Sequence, residues 1–376
     1  MMKRLVAHRA RFIPVALAAL LATATHARQS APASGGAVVS APAIDKMLAD
    51  AVARGDIPGV VAMATDRRRV VYQGAFGVAE VGTGRSMTVD TVFRIASMTK
   101  PVTWLAVMQL VEQGRVSLDD PAKRYFPQLA NLKVFDTFDA KTGAYTLRSA
   151  KTAPTVRHLL THTAGLGYSF TSPIVRDFKP RTGETYAAGP LLFEPGEQWL
   201  YSTGIDWAGR LVETLSGKNL EAYFADRIFK PLGMVDTAYN PPDDRQRRMT
   251  RVHLRRADGT FQVDPVQPPV SVARPIGGGG LASTAPDYIR FLQMLLNQGS
   301  LNGVRIVSAE TIATMGRNHI GSVGVPAVKT AMPERGQPEL GRSLQHILLD
   351  RSDARRRRRH SDAASAVCRQ QGPCRV

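Results

Sequence analysis

The sequence predicts an α+β fold, and three observations predict it. Two adjoining runs near the start carry β-strand patterning, the long middle is dominated by helical periodicity, and glycine or proline punctuates both. The chain has 376 residues, enough for one large domain with a substantial core. Its apolar fraction of 44% is that of an ordinary globular protein. The formal net charge is +18, from 49 Lys and Arg against 31 Asp and Glu. A charge of that size raises the question of nucleic acid or a membrane surface. Much of it, however, sits in the first dozen residues and in the last forty or so, outside the patterned region.

The opening "MMKRLVAHRAR" is basic, "FIPVALAALLATA" is apolar, and small residues follow. This is the layout of a secretory signal, so residues 1–27 are expected to be a signal peptide cut after Ala24 or Ala27. An uncleaved anchor is the competing reading, but the apolar run is short for a membrane span. The expected location is periplasmic or secreted, without stable membrane insertion after cleavage. Residues 28–41 are small and polar, as in a linker, and residues 42–331 carry the domain.

Within the domain, "IDKMLADAVARG" has helical spacing and stops at Gly55. "GVVAMATDRRRVVYQGAFGVAEV" reads as two strands joined at Asp66–Arg69. "FRIASMTKPVTWLAVMQLVEQG" predicts a long helix that starts near Ser97, tolerates Pro101 in its first turn and closes at Gly114. Residues 116–170 look loop-rich, with short helical pieces. "DWAGRLVETLSG" is a further helix, and "NLEAYFADRIFKPLGM" another that Pro231 should end. In "PIGGGGLASTAPDYIRFLQMLLNQG", four glycines permit close backbone approach or positive φ, and Ser283 or Thr284 starts a helix with Asp287 placed to cap. No Walker spacing accompanies the glycines, which argues against a phosphate loop. "SAETIATM" is the last helix read.

Chemistry is suggested by Ser97-Met98-Thr99-Lys100. Residues three apart on a helix share a face, so the Ser97 hydroxyl and the Lys100 amine can meet. A serine becomes a nucleophile when a base takes its proton, and a lysine whose pKa is lowered by burial can be that base. A capping serine beside a solvated lysine is the ordinary reading of such a pair. The apolar flanks "FRIA" and "PVTWLAVM" favour burial, and a buried lysine needs a reason. Tyr201, in "WLYSTG", offers a phenol able to relay a proton. His158 and His162 stand four apart, but no glutamate of a zincin motif lies between them and no third ligand is evident. No metal or cofactor is expected. The two cysteines, Cys368 and Cys374, lie beyond the domain, which therefore has no cysteine nucleophile.

Five ordered segments, "FRIASMTK", "HLLTHTAGLGY", "FEPGEQWLYSTGIDWAGRLVETLSG", "IFKPLGMVDTAY" and "GGGGLASTAPDYIRFLQMLLNQG", resemble the serine β-lactamase-like superfamily. Class C β-lactamases, D-alanyl-D-alanine carboxypeptidases and related carboxylesterases are the branch they resemble most, over roughly residues 40–330. The resemblance implies a β-lactamase/transpeptidase-like fold, with an antiparallel sheet flanked by helices and a mostly helical subdomain. It implies Ser97 as the acyl-forming nucleophile, Lys100 as its base and Tyr201 as proton relay, with the Ser97 N–H as half of an oxyanion hole. Thr203 stands where β-lactamases of this group carry Asn, which favours the esterase-like branch. The expected function is a serine hydrolase on short acyl esters. β-Lactam or D-Ala-D-Ala hydrolysis is the first alternative, and a non-catalytic binding protein with the same fold is the second. The expected partner is a small-molecule ester or amide, and no nucleic acid.

The resemblance also implies closing strands and a third motif near the C-terminus. Neither is found: "VKTAMP" has Ala331 in place of the motif's glycine, and Pro333 is unsuited to a central strand. Residues 332–376, with Arg355 to Arg359 in a row, are expected to be an aberrant, disordered basic tail. Arginine codons of the form CGN, read one base later, encode Gly, Ala, Val or Asp. The shifted frame of residues 349–376 permits "WIDPTRGAGVVILMQLLPFADSKALAV", and that of 337–349 permits "SLNWAGVFNTYF". A frameshift near Ala331–Arg335 is therefore expected, with the C-terminal strands missing and the activity of this chain impaired. One oxyanion donor is typically worth ~3 kcal/mol.

Overall fold

The computed structural model describes residues 41–328. The expected signal, all but the last residue of the linker, the basic tail and the expected frameshift lie outside the described residues. Helix α1 (Ala41–Ala53) precedes a hairpin of β1 (Gly59–Thr65) and β2 (Val70–Glu80). The Asp66 carboxylate closes the expected turn by accepting the N–H groups of Arg68 and Arg69 at 2.7 and 2.8 Å. Strand β3 (Arg85–Ser86) extends this to a three-stranded antiparallel sheet in the order β1-β2-β3. Among the described residues the outer edge of β1 has no strand partner. Helix α1 lies on the hairpin with no fully buried residue, and Met47 stays 61% exposed. Tyr72 on β2 ties α1 down by donating to Asp45 at 2.7 Å.

Strand β4 (Phe93–Arg94) runs into a 3₁₀ turn, Ala96–Met98, and then into α2 (Thr99–Glu112). Helix α2 is apolar on nearly every face, and Val102, Leu105, Ala106, Val107, Met108 and Leu110 are all buried. A helix of that kind belongs at the centre of a domain.

The region read as loop-rich contains a hairpin, β5 (Lys133–Phe138) with β6 (Tyr145–Ser149), besides the short helix α3 (Val156–Leu160), and α4 (Pro173–Asp177) follows it. Its strands alternate poorly because most of their residues remain partly exposed, so periodicity missed them. Next come α5 (Gly204–Ser216) and a helical run built from α6 (Leu220–Phe224), a π turn (Ala225–Phe229) and α7 (Lys230–Leu232). Here Pro231 does not end the helix. The Lys230 N–H reaches back five residues to Ala225, Pro231 begins the last turn where its missing N–H is harmless, and Gly233 stops the run at φ +67°.

A short helix α8 (Asp243–Gln246) and a hairpin of β7 (His253–Arg255) and β8 (Phe261–Val263) lead to the glycine run. After it, β9 (Ala282–Ser283) pairs antiparallel with β4, setting Arg94 opposite Ala282. Thr284, rather than Ser283, caps α9 (Ala285–Leu296) by accepting the Asp287 N–H at 3.3 Å. The Asp287 carboxylate turns instead to the Asp236 N–H and the Thr237 hydroxyl, at 2.7 and 2.9 Å. A two-residue hairpin of β10 (Ser300–Leu301) and β11 (Val304–Arg305) and the helix α10 (Ala309–Met315) complete the described chain.

Helices α2 and α5, the α6–α7 run and α9 share one apolar cluster, in which Leu105, Phe224 and Phe291 have no solvent exposure. Replacing Leu105 with alanine removes packing that nothing nearby can refill. Leu105→Ala is expected to lower the unfolding free energy by about 3 kcal/mol. Urea denaturation checks this, and a loss under about 1 kcal/mol would contradict the central place of α2.

Candidate active site

Three elements bring the polar groups together. The 3₁₀ turn carries Ser97 to the surface, because Ile95 N–H is tied to the Leu281 carbonyl at 2.9 Å and Ala96 takes a positive φ of 43°. A non-glycine residue in that region is strained, and strain of this kind is held only where surrounding contacts fix it. Lys100 follows in the first turn of α2, and the loop before α5 contributes Tyr201 from the opposite side.

The Ser97 Oγ receives two donors. Lys100 Nζ lies at 3.2 Å and the Tyr201 hydroxyl at 2.6 Å. Ser97 makes no helix-capping hydrogen bond, so the ordinary capping role does not apply. Lys100 also donates to the Gly278 carbonyl at 2.6 Å, and its ammonium lies 4.7 Å from the Tyr201 ring centre and 5.5 Å from that of Tyr168. Burial lowers the Lys100 pKa from its usual 10.5 to about 8, against an opposing pull from Asp206. Burial raises the Tyr201 pKa, which keeps the phenol protonated at neutral pH. An amine whose pKa is drawn down toward neutral pH and a protonated phenol on one hydroxyl can together take a proton from an attacking group and give one to a leaving group.

The supporting shell contains residues to which the sequence assigned no part in the site. His162 is buried at φ +61°, and its Nδ1 accepts the Ser202 N–H at 3.1 Å. Its ring centre lies 4.9 Å from that of Tyr201. Burial, and then the Lys100 charge, push its pKa down to about 3, so it is a neutral wedge behind the tyrosine. His158 points elsewhere, accepting the Thr155 N–H at the start of α3. The two imidazoles therefore serve separate backbone contacts. Tyr168 stacks on Phe170 at 4.8 Å, and both rings neighbour Tyr201, making an aromatic wall beside the hydroxyls. Asp206, in the first turn of α5, accepts the Gly278 N–H at 2.7 Å. Thr203 precedes α5 and makes no capping hydrogen bond. Lys329-Thr330, the incomplete match to the third motif that the sequence lacks, lies outside the described residues.

The Beta-lactamase family profile matches residues 44–336. The chain belongs to the Beta-lactamase family. It is 35% identical over 284 residues to acyltransferase mokF of Monascus pilosus, covering 70% of this chain and 68% of that protein. It is 31% identical over 317 residues to the lovastatin esterase of Penicillium rubens, covering 77% of this chain and 76% of that one. Simvastatin synthase (LovD) of Aspergillus terreus, in its unliganded selenomethionyl form, superposes with a TM-score of 0.66 at 30% identity, over 74% of this chain and 73% of that structure. The β-lactamase/transpeptidase-like fold expected from the five segments is thus the fold of this chain.

In this beta-lactamase-family site the glycine run has a steric purpose. A Cβ on Gly277 would lie 2.2 Å from the Ile205 carbonyl oxygen, and one on Gly278 would lie 2.6 Å from Asp206 Oδ1. Gly280 takes φ +104°. Both reasons anticipated for the glycines apply, at different positions. Gly277→Ala should therefore push the loop off α5 and, with Ser97 as nucleophile, slow its acylation by about a hundredfold. Gly316→Ala, whose new Cβ meets nothing closer than 3.6 Å, is the control. Stopped-flow acylation of both variants checks the contrast, and equal rates would contradict it.

Proposed function

We propose that this protein is a serine esterase and acyl-transfer enzyme that forms a covalent ester on Ser97. The observation that carries the reading is the simultaneous hold of Lys100 Nζ and the Tyr201 hydroxyl on one serine oxygen, at 3.2 and 2.6 Å. In the reactive form Lys100 is neutral and accepts the Ser97 proton. The Oγ–carbon bond forms as the substrate carbonyl becomes an oxyanion, towards which the Ser97 N–H points its dipole. Collapse of that intermediate breaks the carbon–oxygen bond to the leaving alcohol. The alcohol takes its proton from Tyr201, which is resupplied by the Lys100 ammonium. The acyl group then passes to an acceptor hydroxyl by the reverse sequence.

Water is the acceptor in the leading reading, which makes the reaction ester hydrolysis on short acyl esters. The esterase among the relatives supports it. Transfer to an alcohol is the second reading, supported by the relative whose name is acyltransferase. Thr203, with no amide to offer a β-lactam side chain, weighs against antibiotic hydrolysis.

A chromogenic short-chain ester tests this. Wild-type protein should release a burst of chromophore and carry its acyl mass on Ser97. Ser97→Ala should abolish both, and Lys100→Ala should slow acylation by about a thousandfold. Turnover surviving in Ser97→Ala would sink the reading. Acylation needs the neutral amine, so its rate should rise with pH and level off above about 8, the value set by Lys100 burial. A rate that falls across that range would contradict the lysine base. Added alcohol should divert the acyl group into a new ester without changing the burst rate.

A further inference from the structure

Among the described residues Asp206 has no ion-pair partner within salt-bridge distance, and it is buried beside the lysine that the proposed chemistry uses. Arg210, one helical turn on, does not close onto it; its guanidinium lies 4.6 Å over the Trp207 ring. The Asp206 oxygen instead accepts the Gly278 N–H at 2.7 Å, while the carbonyl of the same Gly278 accepts from Lys100 at 2.6 Å. One residue is gripped from both ends, by an anion on α5 and a cation on α2. A side chain at 278 would collide with Asp206 Oδ1 at 2.6 Å and with the Tyr168 hydroxyl at 2.8 Å, so the grip needs glycine.

We propose that Asp206 is a positioning residue for acyl transfer. Through Gly278 it fixes Lys100 against Ser97, and its charge decides how readily that amine gives up its proton. The inference rests on the reading of Lys100 as the base. Lys100 is faced by Ser97 from the 3₁₀ turn, Tyr201 from the loop before α5, His162 and Tyr168 from the loop after α3, and Asp206 with Arg210 behind it on α5. The glycine run brings backbone groups alone. Tyr168 and Tyr201 stay protonated, with pKa values raised by burial first and then by Asp206, and His162 stays neutral. The Asp206 carboxylate is thus the anion that opposes the effect of burial on Lys100.

The sign follows directly. Removing the anion favours the neutral amine, so the pH at which Lys100 deprotonates moves down. Asp206→Asn keeps an oxygen for the Gly278 N–H and removes the charge; Asp206→Ala removes both; Asp206→Glu keeps the charge and displaces it. Two readouts on the full chain separate the possibilities. The first is the pH dependence of Ser97 labelling by a fluorophosphonate. The second is the pH dependence of Lys100 acetylation by trace acetic anhydride, read by mass spectrometry, which needs no turnover. For Asp206→Asn both midpoints should fall by about one pH unit. Asp206→Ala should show the same shift with a lower labelling plateau, and Asp206→Glu should hold the midpoint near wild type while slowing labelling.

An unmoved or raised Lys100 midpoint in both the Asn and Ala variants would overturn the proposal. The anhydride titration reads the effect of Asp206 on Lys100 whether or not Lys100 is the base. Failure of the base assignment looks different: the Lys100 midpoint moves but Ser97 labelling does not follow it, or labelling persists in Ser97→Ala.

Discussion

The site depends on keeping one amine out of water without leaving it unpaired. A buried lysine is costly in its charged form, and that cost is what draws the Lys100 pKa down toward neutral pH. Yet an amine left loose in an apolar pocket would face away from the serine as often as toward it. The protein answers with three fixed contacts: a carbonyl, a hydroxyl and the faces of two aromatic rings. The carbonyl holds the amine in place, the hydroxyl is its target, and the rings exclude water on the remaining side.

The fold supplies these contacts from elements that are themselves over-determined. Helix α2 is apolar on nearly every face and cannot rotate without exposing Val102 or Leu105, so the direction of Lys100 is set by the core. The pairing of β4 with β9 fixes the chain just before Ser97 to the chain just after the glycine run. Gly204 starts α5 against the Leu159 carbonyl, at a distance no side chain would permit, which sets the helix end that follows Tyr201. The neutral His162 ring then fills the space behind the phenol. Each catalytic candidate is thus held by a different part of the structure, and the three meet at one oxygen.

Much of this was legible in the sequence. The hairpin at Asp66–Arg69, the helix after Ser97 and the pairing of Ser97 with Lys100 follow from local spacing and from apolar flanks. Tyr201 could be singled out because the five ordered segments surround it. What could not be read is whatever depends on contacts distant in sequence. Asp206 looks like an ordinary acidic residue in the first turn of a helix, a common and favourable place for one. Its partner is 72 positions away and is a backbone N–H, which leaves no side-chain signal. His162 is a similar case: spacing argued against a metal site there, but nothing local says that its ring packs behind a tyrosine 39 positions on. Pro231 misled differently: a π turn upstream shifts the hydrogen-bond register, so the usual breaker falls where it breaks nothing.

The run of four glycines shows how one composition can serve opposite ends. Consecutive glycines suggest a backbone cradle whose N–H groups converge on an anion. Here three polar groups of the run are already committed. The Gly277 carbonyl accepts from the Thr103 hydroxyl at 2.7 Å, the Gly278 carbonyl from Lys100 and the Gly278 N–H is taken by Asp206. Two of those bonds go to α2 and one to α5, so the loop acts as a bolt between the helices that carry the base and follow the phenol. Its glycines are required because bolt and helices approach to backbone contact, with the Gly277 position closed by the Ile205 carbonyl. A side chain anywhere along the Gly277–Gly278 stretch would move the amine relative to the hydroxyl, and a displacement of a fraction of an ångström is enough to lose a 3.2 Å hydrogen bond. The alignment of Ser97 with Lys100 is therefore set in part by a loop whose own hydrogen bonds go to Lys100, Thr103 and Asp206.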